Sequence, residues 1–383
     1  MIPAPGRPTA GASLLARWEA LGRPLPHLSR RAAALVLALL AAAMAWSMVA
    51  SGPADRAQRA PKPVAAAKIA APATSAKPAR AKGDLALYGR IAARVSAGED
   101  YYAAAMDEQR HSNYPTKPFV AVRQPTLAWL QATLGVGGVR ILEMGLAAAC
   151  LAALRWRLRG LVALPERLAA MVLLGFGGAA VQVPLAGLIH ELWAGLWLTL
   201  ALLIHNEKRW WPALAAAGLA LAVRELALPF VLLWLAFALA ARRWREAAGI
   251  AALIALFAGG MALHGMAVEA GRLAGDPVSQ GWNGLAGYGL PLMALRRLTG
   301  LAYLPIPLAA PLAILPLLGW LAIGGRLGLF AALWFAGLFT MIALFARPEN
   351  FYWVQLALPA YGIGFAFAPR ALAELWRAAA RQT

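Results

Sequence analysis

The chain has 383 residues, 61% hydrophobic and 14% charged, with a mean hydropathy of +0.61. A soluble domain carries about 25% charged residues, so the composition excludes an ordinary soluble protein, and repeated apolar runs long enough to cross ~30 Å of hydrocarbon point to a polytopic helical membrane protein. The net charge of +19 arises from 36 basic and 17 acidic residues, and much of the excess lies in short loops, where it sets membrane orientation instead of recruiting nucleic acid.

Residues 1–31 set Arg7, Arg17, Arg23, Arg30 and Arg31 against one acid, Glu19, and read as a basic cytoplasmic N-terminus. Residues 32–50 form the first apolar span. It exceeds the ~7–15-residue core of a signal peptide, so an uncleaved anchor is expected. Residues 51–82, mostly Ala, Pro, Lys and Arg, cannot bury a core and predict a disordered linker. Residues 83–130 form the first outer loop, and 131–370 the rest of the transmembrane bundle.

Apolar length and basic clusters put further spans at about 136–154, 168–184, 192–205, 212–223, 226–241, 247–264, 302–323, 327–345 and 354–369. The single cysteine, Cys150, lies inside the first of these and excludes an intramolecular disulfide. The 302–323 span holds Pro305, Pro307, Pro311 and Pro316 and is expected to kink. A second polar loop occupies about 265–298, and 371–383 form a basic cytoplasmic tail. Ten crossings from a cytoplasmic N-terminus put Arg155–Arg159, Lys208–Arg209, Arg242–Arg245 and Arg326 inside. The same count puts Gly83–Pro125, His190–Glu191, Arg224–Glu225, 265–298 and Arg347–Asn350 together outside, a grouping the positive-inside bias does not require.

That outer set holds the candidate chemistry. Asp84 and Tyr88 are four residues apart and share a helix face, beside an apolar stripe of Leu87, Ile91 and Val95. This describes an amphipathic helix on the membrane; the alternative for Asp84 is a helix cap. Glu99, Asp100, Tyr101 and Tyr102 combine paired acids with tyrosines, suited either to a sugar hydroxyl or to a solvated interfacial helix end. Lys117 and Arg123 flank a stiff Tyr-Pro and Lys-Pro loop, where they would hold a phosphate or punctuate a turn. His190-Glu191 fails as a zinc-protease motif because Ala194 occupies the second histidine position. Arg224-Glu225 and Arg347/Glu349/Asn350 are charged groups at membrane-edge turns, ambiguous between a site and a structural pair. No Walker A loop and no dinucleotide-binding glycine fingerprint is present.

Asp84-Leu85-Ala86-Leu87-Tyr88, followed by Gly98, Tyr101 and Tyr114-Pro115, resembles the first outer loop of the GT-C superfamily of membrane glycosyltransferases. It is most similar to the bacterial polyprenyl-phosphate-sugar-dependent mannosyltransferase branch. The stretch VRELALPFVLLWLAFALAARRWREA resembles the mid-chain basic residue, proline and cytoplasmic Arg-Trp-Arg cluster of such enzymes. The resemblance covers roughly residues 83–369. It departs in the length of residues 51–83 before the aspartate and in Glu225 following Arg224.

The resemblance implies an all-α, polytopic transmembrane bundle of GT-C type, of about ten spans, with amphipathic juxtamembrane helices in the first outer loop. It implies inverting transfer of a sugar, such as mannose, from a polyprenyl-phosphate donor to a periplasmic glycan or lipid acceptor, in a bacterial inner membrane. Asp84 is the implied general base. Arg224, with Arg123 or Arg347, is the expected phosphate contact. Tyr88, Glu99, Asp100, Tyr101, Tyr102, His190, Glu191 and Asn350 are the expected substrate contacts. No cofactor, metal ion or nucleic acid is expected. A lipid-linked-sugar flippase, or an inactive assembly partner with the same fold, are the alternatives.

Overall fold

The computed structural model describes residues 13–59, 83–177 and 186–381. These residues form sixteen α-helices joined by short 3-10 segments, and among them there is no strand beyond one isolated bridge, Lys117 to Val278. Five helices are long and apolar enough to cross a membrane, and three shorter apolar helices accompany them. Helices dominate because a backbone facing lipid must satisfy its own hydrogen bonds.

Helix α1 (Leu14–Ala20) precedes α2 (Arg30–Arg59), which runs well past the expected end of the first span. Its last turns carry the buried Asp55, which pairs with Arg296 at 2.5 Å and Arg297 at 2.7 Å. Residues 51–59 belong to this helix, a correction to the expected linker; residues 60–82 lie outside the described residues. Helices α3 (Asp84–Ser96) and α4 (Tyr101–His111) follow as an amphipathic pair. Leu87 and Ile91 of α3 pack on Tyr101, Ala105 and Met106 of α4, with Val122 and Val268 closing the small core.

Helix α5 (Thr126–Arg157) starts ten residues before the expected span and kinks at Gly135, whose φ of 66° needs a residue without Cβ. Helix α6 (Leu164–Gly177) covers the first part of the expected 168–184 span; 178–185 lie outside the described residues. Then come α7 (His190–Ile204), α8 (Trp211–Val223), α9 (Leu228–Ala240) and α10 (Trp244–Ala270). The second polar loop is shorter than expected, because α10 extends into it and α11 (Gly289–Arg297) folds back into the core with Leu290 and Met293 buried.

The proline-rich span is broken into α12 (Ile306–Leu312) and α13 (Leu315–Ile323), and α14 (Gly325–Phe345) is continuous. The expected last span is not one helix. It is a 3-10 stretch Pro348–Leu356, a single turn α15 (Leu358–Tyr361) and a second 3-10 stretch Gly362–Ala366. Here Gly319 and Gly364 cross so closely that a Cβ on Gly319 would lie 1.8 Å from the Gly364 carbonyl oxygen. The expected tail is instead α16 (Ala368–Ala379), which buries Ala371, Leu375 and Ala378 against α2 and α13.

Ion pairs sort the polar residues into two ends. At one end Arg326 binds Glu19 (2.6 Å) and Glu207 (3.0 Å), Arg23 binds Glu374 (3.0 Å), and Arg370 binds Glu166 (2.6 Å). At the other, Arg110 of α4 binds Asp276 (2.6 Å), the backbone of Thr116 bonds to Pro277, and Arg347 bonds to Gln280 (2.6 Å).

Candidate functional site

The end that bears α3 and α4 carries a chain of polar contacts built from four distant stretches. Its local cause is the break between α8 and α9. Helix α8 ends where the chain becomes extended at Arg224 (φ −150°, ψ 116°); a 3-10 turn, Glu225–Ala227, then leads into α9, whose first turn holds Pro229, a residue with no N–H to give. The carbonyls left free at the end of α8 are taken up by the segment entering α5. Gln124 Nε2 donates to Leu221 O at 3.0 Å and Thr126 Oγ1 to Ala222 O at 2.5 Å. This docks the neighbouring Arg123 beside Glu191 and Arg224.

Arg224 is almost fully buried, 1% exposed. Its Nε donates to Glu191 Oε1 at 2.7 Å, and its other guanidinium edge pairs with Glu225. Arg123 lies 3.8 Å from the same Glu191 oxygen, and its Nε donates to Tyr88 Oη at 3.1 Å. The Arg123 carbonyl accepts from Tyr101 Oη at 2.6 Å. His190 packs edge-on against Tyr88 at 4.8 Å and its Nδ1 is 3.2 Å from the Leu188 carbonyl. One turn before Tyr88, the half-buried Asp84 accepts a hydrogen bond from Tyr114 Oη at 2.6 Å. Asp84 is not the cap of α3; Gly83 holds that position.

The charge distribution follows from burial. Burial pushes the Tyr88 phenol well above its ordinary value, with Arg123 pulling it back in part. Burial, and then the bond to Asp84, raise the Tyr114 phenol, so it stays a neutral donor. Tyr352 is raised chiefly by burial, and its phenol also feels the charges of Arg123, Glu191, Asp84 and Arg224. Two arginines, Arg123 and Arg224, face three carboxylates, Asp84, Glu191 and Glu225. Arg224 is held by two of them, so its charge is neutralised in place; Arg123 is the less committed cation.

The structure brings together Asp84, Tyr88, Arg123, His190, Glu191 and Arg224 of the expected residues. Others are corrected. Glu99 is bound to Arg94 at 2.7 Å, and Asp100 caps α4 by accepting from Ala103 N at 3.0 Å, so both are occupied by local structure. Tyr101 positions Arg123 through its backbone and is buried, and Tyr102 meets His264 Nδ1 at 3.2 Å. Arg347 turns to Gln280 and to Glu349 (2.8 Å), while Asn350 accepts from the Arg347 backbone at 3.4 Å and closes a helical turn.

Sequence reasoning missed the roles of Tyr114 and Tyr352, although a tyrosine at each outer turn was a visible signal. It also passed over Glu143. This acid is 0% exposed in the middle of α5, and neither carboxylate oxygen has a hydrogen-bond partner. A charged pair, Arg140 and Glu143, inside an apolar run was the available clue. Among the described residues there is no cluster of three or more His, Cys, Asp or Glu able to hold a metal ion. No family model, no curated protein and no solved structure matches the chain.

Proposed function

We propose that the protein is a GT-C-type membrane glycosyltransferase of about ten crossings that takes a sugar from a polyprenyl-phosphate donor. In this reading the five long apolar helices are joined by shorter and broken ones, and the active end faces the periplasm of a bacterial inner membrane. The observation that carries the reading is Asp84, a half-exposed carboxylate steadied by Tyr114 at the mouth of a buried tyrosine–arginine–glutamate chain. A base needs a free oxygen within hydrogen-bond reach of the reacting hydroxyl; Oδ1 accepts from Tyr114 and Oδ2 remains for the acceptor.

The step then runs as follows. The acceptor hydroxyl gives its proton to Asp84 as its oxygen attacks the anomeric carbon from the face opposite the phosphate. The bond from that carbon to the phosphate oxygen breaks, and polyprenyl phosphate leaves with the electron pair, inverting the sugar. Arg123 is the cation for the departing phosphate, because its contact with Glu191 is long. Arg224 becomes a positioning residue that fixes Glu191, a narrower role than phosphate binding. A donor dissolved in the bilayer suits a site at the end of an apolar bundle.

The test is sugar transfer by the full chain in proteoliposomes supplied with polyprenyl-phosphate-linked sugar and a hydroxyl acceptor. Asp84→Asn keeps the shape and the bond to Tyr114; transfer at the wild-type rate would overturn the assignment. Glu143 favours a second reading, transport, since a buried acid in mid-span is the usual mark of an ion or proton pathway. Movement of intact lipid-linked sugar across the bilayer, with no change of its linkage, would support that reading instead.

A further inference from the structure

The opposite end of the bundle holds a cleft, partly open to solvent, whose walls include Arg157, His205, Phe230, Trp234, Glu246 and Phe330. It opens between the ends of α5, α7 and α9 and the starts of α10 and α14. Its floor is aromatic: Phe330 meets Phe230 at 4.9 Å and Phe237 at 5.2 Å, both edge to face. Its upper wall is charged, and the charges are not equally matched.

Glu246 is buried and paired through Oε1, while its Oε2 lies beside Arg243 without a hydrogen bond. It is 2.8 Å from His205 Nε2, accepts from Trp234 Nε1 at 2.7 Å, and lies 2.9 Å from Arg243. Arg326 is paired with both Glu19 and Glu207. Arg157 differs. It lines the cavity, has no ion pair among the described residues, and its Nε is sealed from solvent without a hydrogen-bond partner. A buried N–H left without an acceptor is costly and calls for one. The loops around this end add Arg155, Arg159, Lys208, Arg209, Arg242 and Arg245, all exposed, so the field at the opening is positive.

We propose that this cavity binds a phosphate-bearing lipid, with the phosphate on Arg157 and the first part of a chain along the Phe230–Phe330 floor. Charge selects the headgroup and the aromatic floor selects the chain, as in basic pockets between membrane helices. The site is separate from the outer cluster and does not depend on the function proposed for it.

The experiment uses the purified full chain in a neutral detergent and three probes: dioctanoyl phosphatidic acid, dioctanoylglycerol and inorganic phosphate. Binding is read as a ligand-dependent rise in melting temperature and by native mass spectrometry. The expected result is saturable binding of the phosphatidic acid alone, weakened about tenfold or more in Arg157→Gln through loss of a charge-assisted hydrogen bond. Equal binding of dioctanoylglycerol, or unchanged affinity in Arg157→Gln, would overturn the proposal. So would equal binding of inorganic phosphate, which would assign the arginine to a free anion. Ala201→Trp, which fills the cavity without touching a charge, is expected to abolish the response. The comparison of the three probes on the wild-type chain stands even where a variant does not fold, and sugar transfer is not its readout.

Discussion

The two ends of the bundle solve the same problem in opposite ways. Both must keep arginines at the edge of an apolar core. At the end that bears α3 and α4, Arg224 is enclosed between Glu191 and Glu225, and the spare charge is negative, on Asp84. At the opposite end Glu246 and Arg326 are matched, and the spare charge is positive, on Arg157 beside an open cleft. The comparison teaches that the number of charges says little about a site; what matters is which one the fold leaves without a partner.

The largest expected effect comes from breaking the enclosed pair. Arg224→Gln strands Glu191 in a buried setting and is expected to destabilise the chain by about 3–5 kcal/mol, read as a fall in melting temperature in detergent. Arg157→Met, its counterpart at the other end, removes a cation that has no ion pair among the described residues and feels only the exposed Glu207, and stability within about 0.5 kcal/mol of wild type is expected without lipid. Equal losses in the two variants would erase the contrast. Next in size, Asp84→Asn should cut sugar transfer about 10²–10⁴-fold, the range of general-base catalysis, with the melting temperature unchanged.

A smaller effect concerns the tie between α4 and the loop after α10. The Arg110 guanidinium holds the Asp276 carboxyl down at about 2. A depressed carboxylate contributes stability that is full above its ordinary value of 3.8 and fades as the pH falls toward 2. Asp276→Asn should therefore melt lower than wild type at pH 6, by about 1–3 kcal/mol, and the gap should close on acidification; a gap independent of pH would remove the pairing as its cause. The smallest effect is expected for Glu99→Gln. Its partially exposed pair with Arg94 is worth about 0–1 kcal/mol, and transfer should stay at the wild-type rate, which would sharpen the line between acids in the cluster and acids beside it.

Much of this was readable in the residues. The apolar runs announced the long helices, because lipid burial is an average over about 20 residues and tolerates local error. The stripe Leu87, Ile91, Val95 gave α3, and counting crossings put Arg123, His190, Glu191 and Arg224 at one end. What failed depended on local competition. Glu99 and Asp100 look like chemistry until Arg94 and the start of α4 claim them. The last third misled by composition: 354–369 is apolar, yet Pro359, Gly362 and Gly364 divide it into short turns. In the supposed tail, Ala371, Leu375 and Ala378 recur at helical spacing and were a legible signal for α16. Pairings across long separations, such as Asp55 with Arg296, leave no mark in sequence spacing at all.

The crossing of Gly319 and Gly364 reaches further than its size suggests. A methyl group at either position would drive apart α13 and the closing segment of the chain, since neither backbone has a carbon's width to yield. That closing segment begins with the turn bearing Tyr352. The turn that carries Tyr352 is thus hung from a hinge pin made of two residues that possess no side chain, and a single added carbon there would be felt as a displaced segment rather than as a hole in the core.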